Sequence, residues 1–334
     1  MSGVIGLDVG GANTKAVWRD GDERRVLSRA FEVWRDRDAL AAVLREVVGS
    51  LGEPDVIALT MTAELSDAFR TKREGVNFVL DAAEAALAGP RLVVLNTVGE
   101  LLSVEQAREH PMEIAAANWM ASALVVASHF DDALMIDAGG TTVDLIPIAG
   151  GDVVVRGRTD LARLMSGELV YTGVLRTNLA AISDQVPLRG GWCPVASELF
   201  AITADVHLIL GHIEPDEYTC PTPDGRPATV EYARERVARL VCSDAEQIGA
   251  DEIDAIAGYL HAEQVRHIEE AARDAASELT ALAPVVPLGS GAFLAREVAE
   301  RLGIGVRELP WSRAERAVAP AAALAELAGL RARW

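Results

Sequence analysis

The sequence predicts an α/β protein of two related lobes, each a sheet with helices on its faces, and three observations predict it. First, one phrase occurs twice, as Asp8-Val9-Gly10-Gly11-Ala12-Asn13-Thr14-Lys15 and as Asp137-Ala138-Gly139-Gly140-Thr141-Thr142-Val143-Asp144. Second, each copy follows an apolar run (VIGL, ALMI) and leads into a β-prone one (TKAVW, TVDLIPI). That is the pattern of a tight hairpin with a carboxylate at the end of its first strand. Third, short apolar runs alternate with helical periodicity after the first copy, the order that layers helices on a sheet. A length of 334 residues is enough for two substantial cores.

In chain order, strands at 4–7, 14–18 and 25–29 make a three-stranded opening. Apolar residues Leu40, Val43, Leu44 and Val47 recur at helical spacing over 38–48, with Asp36 or Asp38 available as N-cap. A buried-type strand at 56–59, a helix at 76–87 and a strand at 92–95 follow. The pattern then restarts: helix 112–128, strands 133–136 and 142–148, a Gly150-Gly151 turn and strand 153–157. The distance between the copies is far above that of a stacked repeat, so the chain is expected to be a duplication, with lobes 1–110 and 111–334. Residues 187–283 read as a largely helical insertion: a Gly/Pro-rich loop at 187–194, helix 197–210, a loop at 215–227, and helices 230–241 and 252–282. Strand 285–288, the Gly289-Ser290-Gly291 loop, helix 292–302, strand 306–309 and a helix near 314–330 close the chain. The Ala-rich stretch 317–328 reads as a packed helix.

A net charge of −19 excludes broad nonspecific nucleic-acid binding and requires any anionic ligand to be held locally. The start, MSGVIGLDVGG, has neither a basic nor a long apolar region, so no signal peptide is expected. The apolar stretch 115–127 contains Asn118 and is too short for a bilayer. Cys193, Cys220 and Cys242 are odd in number and widely spaced, which favours reduced thiols in a cytoplasmic protein over a zinc site shared with His207 or His212. The methionines at 61, 112, 120, 135 and 165 read as core. Nothing in the sequence sets the oligomeric state, and a homodimer stays open.

The two hairpins carry the candidate site. Glycines without Cβ let backbone N–H groups approach an anion and adopt positive φ, and successive N–H groups around a turn make an anion cradle. Gly10, Gly11, Asn13 and Thr14 in one copy, and Gly139, Gly140, Thr141 and Thr142 in the other, are expected to bind phosphate. Asp8 and Asp137 are placed to hold a hard cation such as Mg²⁺. Gly289, Ser290 and Gly291, between a strand and a helix, form a third phosphate or nucleoside loop. Lys15 reads as a point charge for phosphate, and Asp144, at the same position of the second copy, as a holder of metal or water; a solvated strand residue is the alternative for both. The segment TAELSDAFRTKREGV directly follows a buried strand, where ligands of open α/β sheets bind. Its Glu64, Asp67, Arg70, Lys72 and Arg73 fit a zwitterionic or amino-bearing substrate, or else the charged start of a helix. Asn118, Glu168, Thr172, Arg176 and His207 complete the candidate set, with a structural role the alternative for His207. Asp205 and His207 lie two apart, as do Asp224 and Arg226.

With both hairpins and the GSG loop in view, the chain resembles the actin/Hsp70/sugar-kinase superfamily, which implies two ribonuclease H-like lobes around a cleft. GGTTVD and the 167–178 stretch GELVYTGVLRTN resemble its hydantoinase/oxoprolinase A branch. The start GLDVGGANTKAV departs from that branch's GxDxGGTxTD pattern at Ala12, Asn13 and Lys15, and the chain is much shorter than hydantoinase A subunits. A closer likeness, over about 4–300, is to the methanofuran-biosynthesis synthase family, which also includes tetrahydromethanopterin-linked one-carbon pathway proteins of methylotrophic bacteria. It rests on GLDVGGANTKA, MTAELSDAFRTKREGV, AANWMASA, TADVHLILG and DGRPA.

The resemblance implies a transferase that joins an aminomethylfuran methyl diphosphate to a phenol, that of γ-glutamyltyramine or a tyrosine-derived counterpart, and releases diphosphate. The phenol, with an ordinary pKa near 10, needs a base; Glu64, Asp67 and Asp144 are the candidates, while Arg70, Lys72 and Arg73 would meet the substrate's carboxylates. The partners implied are small molecules, with Mg²⁺ as the expected cofactor; ATP is not required, and whether it binds is left open. The alternatives are an ATP-dependent kinase or ring-opening hydrolase, and a nucleotide-regulated module of the chaperone or actin type.

Overall fold

The computed structural model describes residues 3–279 and 283–331. Its first sheet is built outward from β1 (Val4–Val9), which is buried along its whole length. A strand covered on both faces must be apolar almost throughout, and Asp8 is the one charged residue in β1. β2 (Asn13–Asp20) and β3 (Glu23–Ala30) continue the sheet antiparallel on one side of β1. On the other side β4 (Val56–Met61) and β5 (Arg91–Leu95) run parallel to it, and a two-residue edge strand, β6 (Leu101–Leu102), gives the order β3-β2-β1-β4-β5-β6.

The second sheet repeats this plan. β7 (Ala133–Ala138) pairs antiparallel with β8 (Val143–Ala149), and the short strands β9 (Asp152–Val153) and β10 (Leu169–Val170) both pair with β8. A separate hairpin of β11 (Gln185–Leu188) and β12 (Gly191–Pro194) intervenes before β13 (Val285–Leu288) joins β7 in parallel. The result is the two-lobed actin-like architecture that the resemblance implies.

Helices fill the layers around the sheets. α1 (Leu40–Leu51) and α2 (Lys72–Ala86) share the core on the outer face of the first sheet. α3 (Val104–Glu109) and α4 (Pro111–Ile114) lead to α5 (Asn118–His129), and α6 (Asp160–Ser166) packs beside β10. α7 (Thr203–Ile209), α8 (Val230–Arg239) and α9 (Ala250–Ala275) bundle around the 179–260 core, where Arg236 is buried between Asp205 and Asp224. α10 (Ala292–Leu302) and α9 cover the outer face of the second sheet. After α11 (Arg313–Ala317), α12 (Ala319–Arg331) returns to the first sheet and packs along β1. α5 and α12 lie in one core that joins residues of both sheets, including Val4, Ala58, Met135 and Ile146.

Several expectations give way here. The single helix over 112–128 is broken between α4 and α5, where Ala116 takes a φ of +50°. Three alanines in a row carry no breaking signal, so tertiary context has overridden propensity. Residues 187–194 form a hairpin and not a loop, turning through Arg189 and Gly190, both at positive φ as a two-residue hairpin turn requires. Helix 197–210 is shortened to α7, and strand 153–157 to β9. Strand 306–309 is reduced to one bridge between Val306 and Val285. The long helix ends at Ala275 with a 3₁₀ turn; the expected residues 280–282 lie outside the described ones. The edge strands β6 and β10 and the short helices α3 and α6 are additions too brief to show in periodicity.

The alanines of α12 have a steric purpose. A Cβ on Gly6 would stand 2.0 Å from the Ala321 carbonyl oxygen and 2.5 Å from the Ala325 nitrogen, so helix and strand touch through backbone. Gly6→Ala is expected to cost about 3 kcal/mol, the upper part of the range for overpacking. A denaturant midpoint unchanged in that variant would refute this packing.

Candidate active site

The two copies of the repeated phrase form matching turns. Gly10 N–H donates to the Asn13 carbonyl at 3.0 Å, and Gly139 N–H donates to the Thr142 carbonyl at 2.8 Å. In the strand register Asp8 stands opposite Lys15, and Asp137 stands opposite Asp144. None of the turn glycines at 10, 11, 139 and 140 has a positive φ, against expectation. What Gly10 needs is room: a Cβ there would come within 2.7 Å of the Asn13 carbonyl oxygen.

The turns are open as donors. The carbonyls of Gly11, Ala12 and Gly140 are taken, by Val33, by Phe31, and by Leu175 and Arg176 respectively. Among the described residues the N–H groups of Gly11, Ala12, Gly140 and Thr141 have no acceptor. Both turns line one cavity of about 420 Å³. Gly289, with a φ of +82°, closes it behind Asp137; a Cβ there would strike the Ala138 carbonyl at 2.2 Å and Asp137 Oδ1 at 2.5 Å.

Most of the expected residues meet in this cavity: Asp8, Gly10, Gly11, Asn13, Lys15, Glu64, Asn118, Asp137, Gly139, Gly140, Thr141, Thr142, Asp144, Arg176 and Gly289 line it. Thr14 is fully buried in β2; Ser290 is exposed and Gly291 buried, both off the cavity, and Gly291 N–H donates to the Ala138 carbonyl. Asp67, Arg70 and Arg73 are exposed and off the cavity. Lys72 bonds Asp160 at 2.5 Å. Glu168 is buried as a scaffold, accepting from the Arg156 and Gly157 N–H groups and from Ser166. Thr172 Oγ1 accepts from Gln264. His207 is fully buried away from the cavity, among His212 and His261.

The reading missed Arg163, Asp160, Thr62 and the cavity mouth. Arg163, buried in α6, pairs with Asp144 at 2.9 Å and lies over the Trp119 ring at 4.4 Å. Its signal is weak, one arginine in a seven-residue helix that the periodicity did not show. Trp34, Leu65, Leu164 and Tyr171 are exposed apolar residues that all line this one cavity. They come from four separate segments, so only folding gathers them.

Burial governs the electrostatics. It raises the carboxyls of Asp8, Asp137, Asp144 and Glu64. Asp137 reaches about 7, with Asp144 adding to the effect and Lys15 opposing it. Glu64 also reaches about 7 because burial outweighs Lys72, whose Nζ is 3.9 Å away. Asp144 is raised despite Arg163. Neither Glu64 oxygen has a hydrogen-bond partner among the described residues, nor has Asp8 Oδ1. Unpartnered buried acceptors are costly, and a hard cation with oxygen ligands satisfies them.

The doubled sheet plan and the facing turns define a two-lobed protein with a ligand cleft. The nucleotide-free structure of acetone carboxylase, from work on ATP-dependent acetone carboxylation, superposes with a TM-score of 0.52 at 12% identity. It covers 96% of this chain and 69% of that one, and shows the fold alone. Residues 55–330 match the family described as hydantoinase/oxoprolinase. A Methanocaldococcus jannaschii synthase is 38% identical over 268 residues, 80% of each chain. It is named for a furan-2-yl-methanamine bearing a γ-glutamylaminoethyl-phenoxymethyl group. A synthase of the same name from Methanococcus vannielii is 44% identical over 119 residues, 36% of this chain and 53% of that one. The chain therefore belongs to the hydantoinase/oxoprolinase family, in the branch of methanofuran-biosynthesis synthases.

The raised carboxyls have a consequence for stability. Glu64 and Asp137 bind protons more tightly in the folded chain than at their ordinary values of 4.5 and 3.8. Their contribution is complete below about pH 4 and is lost as pH rises to about 7. Without divalent cations, Glu64→Gln and Asp137→Asn should each gain stability relative to wild type over that interval, on the order of 3–4 kcal/mol, then level off. Thermal unfolding from pH 4 to 8 measures this; a difference independent of pH would refute the buried, unpaired state.

Proposed function

We propose that this enzyme joins an aminomethylfuran methyl diphosphate to the phenol of γ-glutamyltyramine or a tyrosine-derived phenol. The phenol oxygen bonds to the furfuryl carbon, the carbon–oxygen bond to diphosphate breaks with its electron pair leaving on diphosphate, and the phenolic proton passes to a base. The product is an aryl ether of the kind that the relatives are named for. The observation that carries the reading is the pair of facing turns with free N–H groups around buried, unpartnered carboxylates.

The leaving group needs its charge gathered as it departs. The free N–H groups of Gly11, Ala12, Gly140 and Thr141 would face its oxygens, with Lys15 as a point charge. Asp8 and Asp137 would hold Mg²⁺, which supplies charge neutralisation to the diphosphate when bound. The fit rests on the orphaned Asp8 Oδ1 and on a donor set made of oxygen. Glu64 is the best-placed base among the three candidates: it lines the cavity, has no hydrogen-bond partner among the described residues, and burial pushes it up to about 7. Asp144 is engaged by Arg163, and Asp67 lies outside. Trp34, Tyr171, Leu65 and Leu164 offer an apolar mouth for two aromatic substrates, and Arg176 there would meet a substrate carboxylate.

Incubated with Mg²⁺, the furan diphosphate and the phenol, the protein should release one diphosphate per ether formed and consume no ATP. Glu64→Gln should lower kcat by about 10²–10⁴-fold and remove the acid limb of the pH profile near 7. ATP turnover without ether formation would sink the proposal, and full turnover in Asp8→Ala or Asp137→Ala would remove those residues from the mechanism.

A further inference from the structure

Away from the cavity, behind the second sheet, three histidines converge. His207 is on α7, His212 follows that helix and His261 is on α9, and one nitrogen of each lies within 4.8 Å of the others. Their hydrogen bonds fix which nitrogens are free. Gln264 donates its amide N–H groups to Thr172 Oγ1 and to the Gly173 carbonyl, both at 2.9 Å, so its Oε1 is turned to His207 as an acceptor. His207 Nε2 donates to that oxygen at 2.9 Å, which leaves its Nδ1 as a bare lone pair. His261 Nε2 donates to the Glu297 carboxylate at 2.7 Å, so in the neutral ring its Nδ1 carries the lone pair. That His261 Nδ1 is buried and has no partner among the described residues.

Two imidazole lone pairs thus point into one small space beside His212. His207 Nδ1 and His212 Nδ1 are 3.2 Å apart. Ligand nitrogens around a tetrahedral metal with bonds of 2.0–2.1 Å stand about 3.3 Å apart. The surroundings match what imidazole ligands have elsewhere: the ring nitrogen turned away from the metal donates to a carboxylate or a carbonyl. Glu297 is held in its turn by Arg301 at 2.7 Å, and Phe293 covers His207 and His212 at ring distances of 5.0 and 4.9 Å. His212 reaches the surface and His261 is half-buried, beside a shallow groove lined by Phe293 and Glu297, which gives a route in.

We propose that His207, His212 and His261 bind a zinc-class transition metal through Nδ1, with a fourth position open to solvent. The cation has a structural task. It ties α7 to α9, and through Glu297 to α10. Gln264 carries the constraint to Gly173, where a Cβ would come within 2.4 Å of the Thr141 nitrogen in the second turn.

The test is titration of the full chain, stripped with chelator, with Co²⁺ and then Zn²⁺ in excess Mg²⁺. One equivalent of Co²⁺ should give the visible absorption of a four-coordinate imidazole site, Zn²⁺ should displace it, and Zn²⁺ should raise Tm by several degrees. His261→Gln and His212→Gln should each abolish the absorption and the Tm shift, while Asp8→Asn/Asp137→Asn keeps both. No stoichiometric binding by wild type would overturn the proposal and leave a plain histidine–histidine hydrogen bond. Binding that survives both histidine variants, or that vanishes in the aspartate variant, would overturn it as well.

Discussion

Everything in this structure is arranged around a charge that is hard to bury. Asp8, Asp137, Asp144 and Glu64 all line one cavity, and each is pushed above the ordinary carboxylate range by loss of water. An isolated ionised carboxylate in such a place costs several kcal/mol unless something charged meets it. Lys15, Lys72 and Arg163 meet part of the charge, yet neither Glu64 oxygen nor Asp8 Oδ1 has a hydrogen-bond partner among the described residues. A chain evolved only for stability would replace them. Their retention is intelligible if a cationic or proton-yielding ligand completes the site, as the proposed reaction would require.

Holding such a site calls for rigid walls, and the two sheets provide them through shared helices. α12 meets β1 along Gly6, two residues before Asp8, so the strand that carries the first carboxylate cannot shift independently of the C-terminal helix. α5 and α12 fill one core between the sheets, and α5 begins with Asn118 in the cavity wall. The break before it places Ala116 in the wall at φ +50°, where a non-glycine residue is strained by roughly 1–2 kcal/mol. Strain of this kind persists where the surroundings over-determine the backbone, and it clusters where ligands bind.

The hairpins were legible in the sequence because glycines and a carboxylate in fixed order between two β-prone runs leave few other foldings. Both cores followed from the same alternation. What could not be read was whatever depends on distance across the chain. Arg163 reaches Asp144 over nineteen positions of separation, and the mouth residues at 34, 65, 164 and 171 share no periodic relation. The segment after Met61 was legible only in part: Glu64 turns inward from a short 3₁₀ turn, while Thr71 caps α2 and leaves Arg70 and Arg73 at the surface. The break at Ala116 was hidden because alanine is the best helix former, and the histidine cluster because His261 lies far along the chain from its partners.

The duplication is most informative where its copies differ. Position for position, Lys15 and Asp144 occupy the same place opposite the strand-end aspartate, yet they carry opposite charge. The first turn thus presents a carboxylate beside a cation, while the second presents two carboxylates, one of them engaged by Arg163. A symmetric clamp would grip both ends of a polyphosphate alike. Under the proposed reaction this one would divide the work: the Lys15 side would take a phosphate oxygen, and the Asp137 side the cation that accompanies it. Glu64 stands on the first lobe, just past β4, and the apolar mouth draws Trp34 and Leu65 from that lobe and Leu164 and Tyr171 from the other. An acceptor of the proposed reaction, seated between them, would meet side chains of both lobes at once.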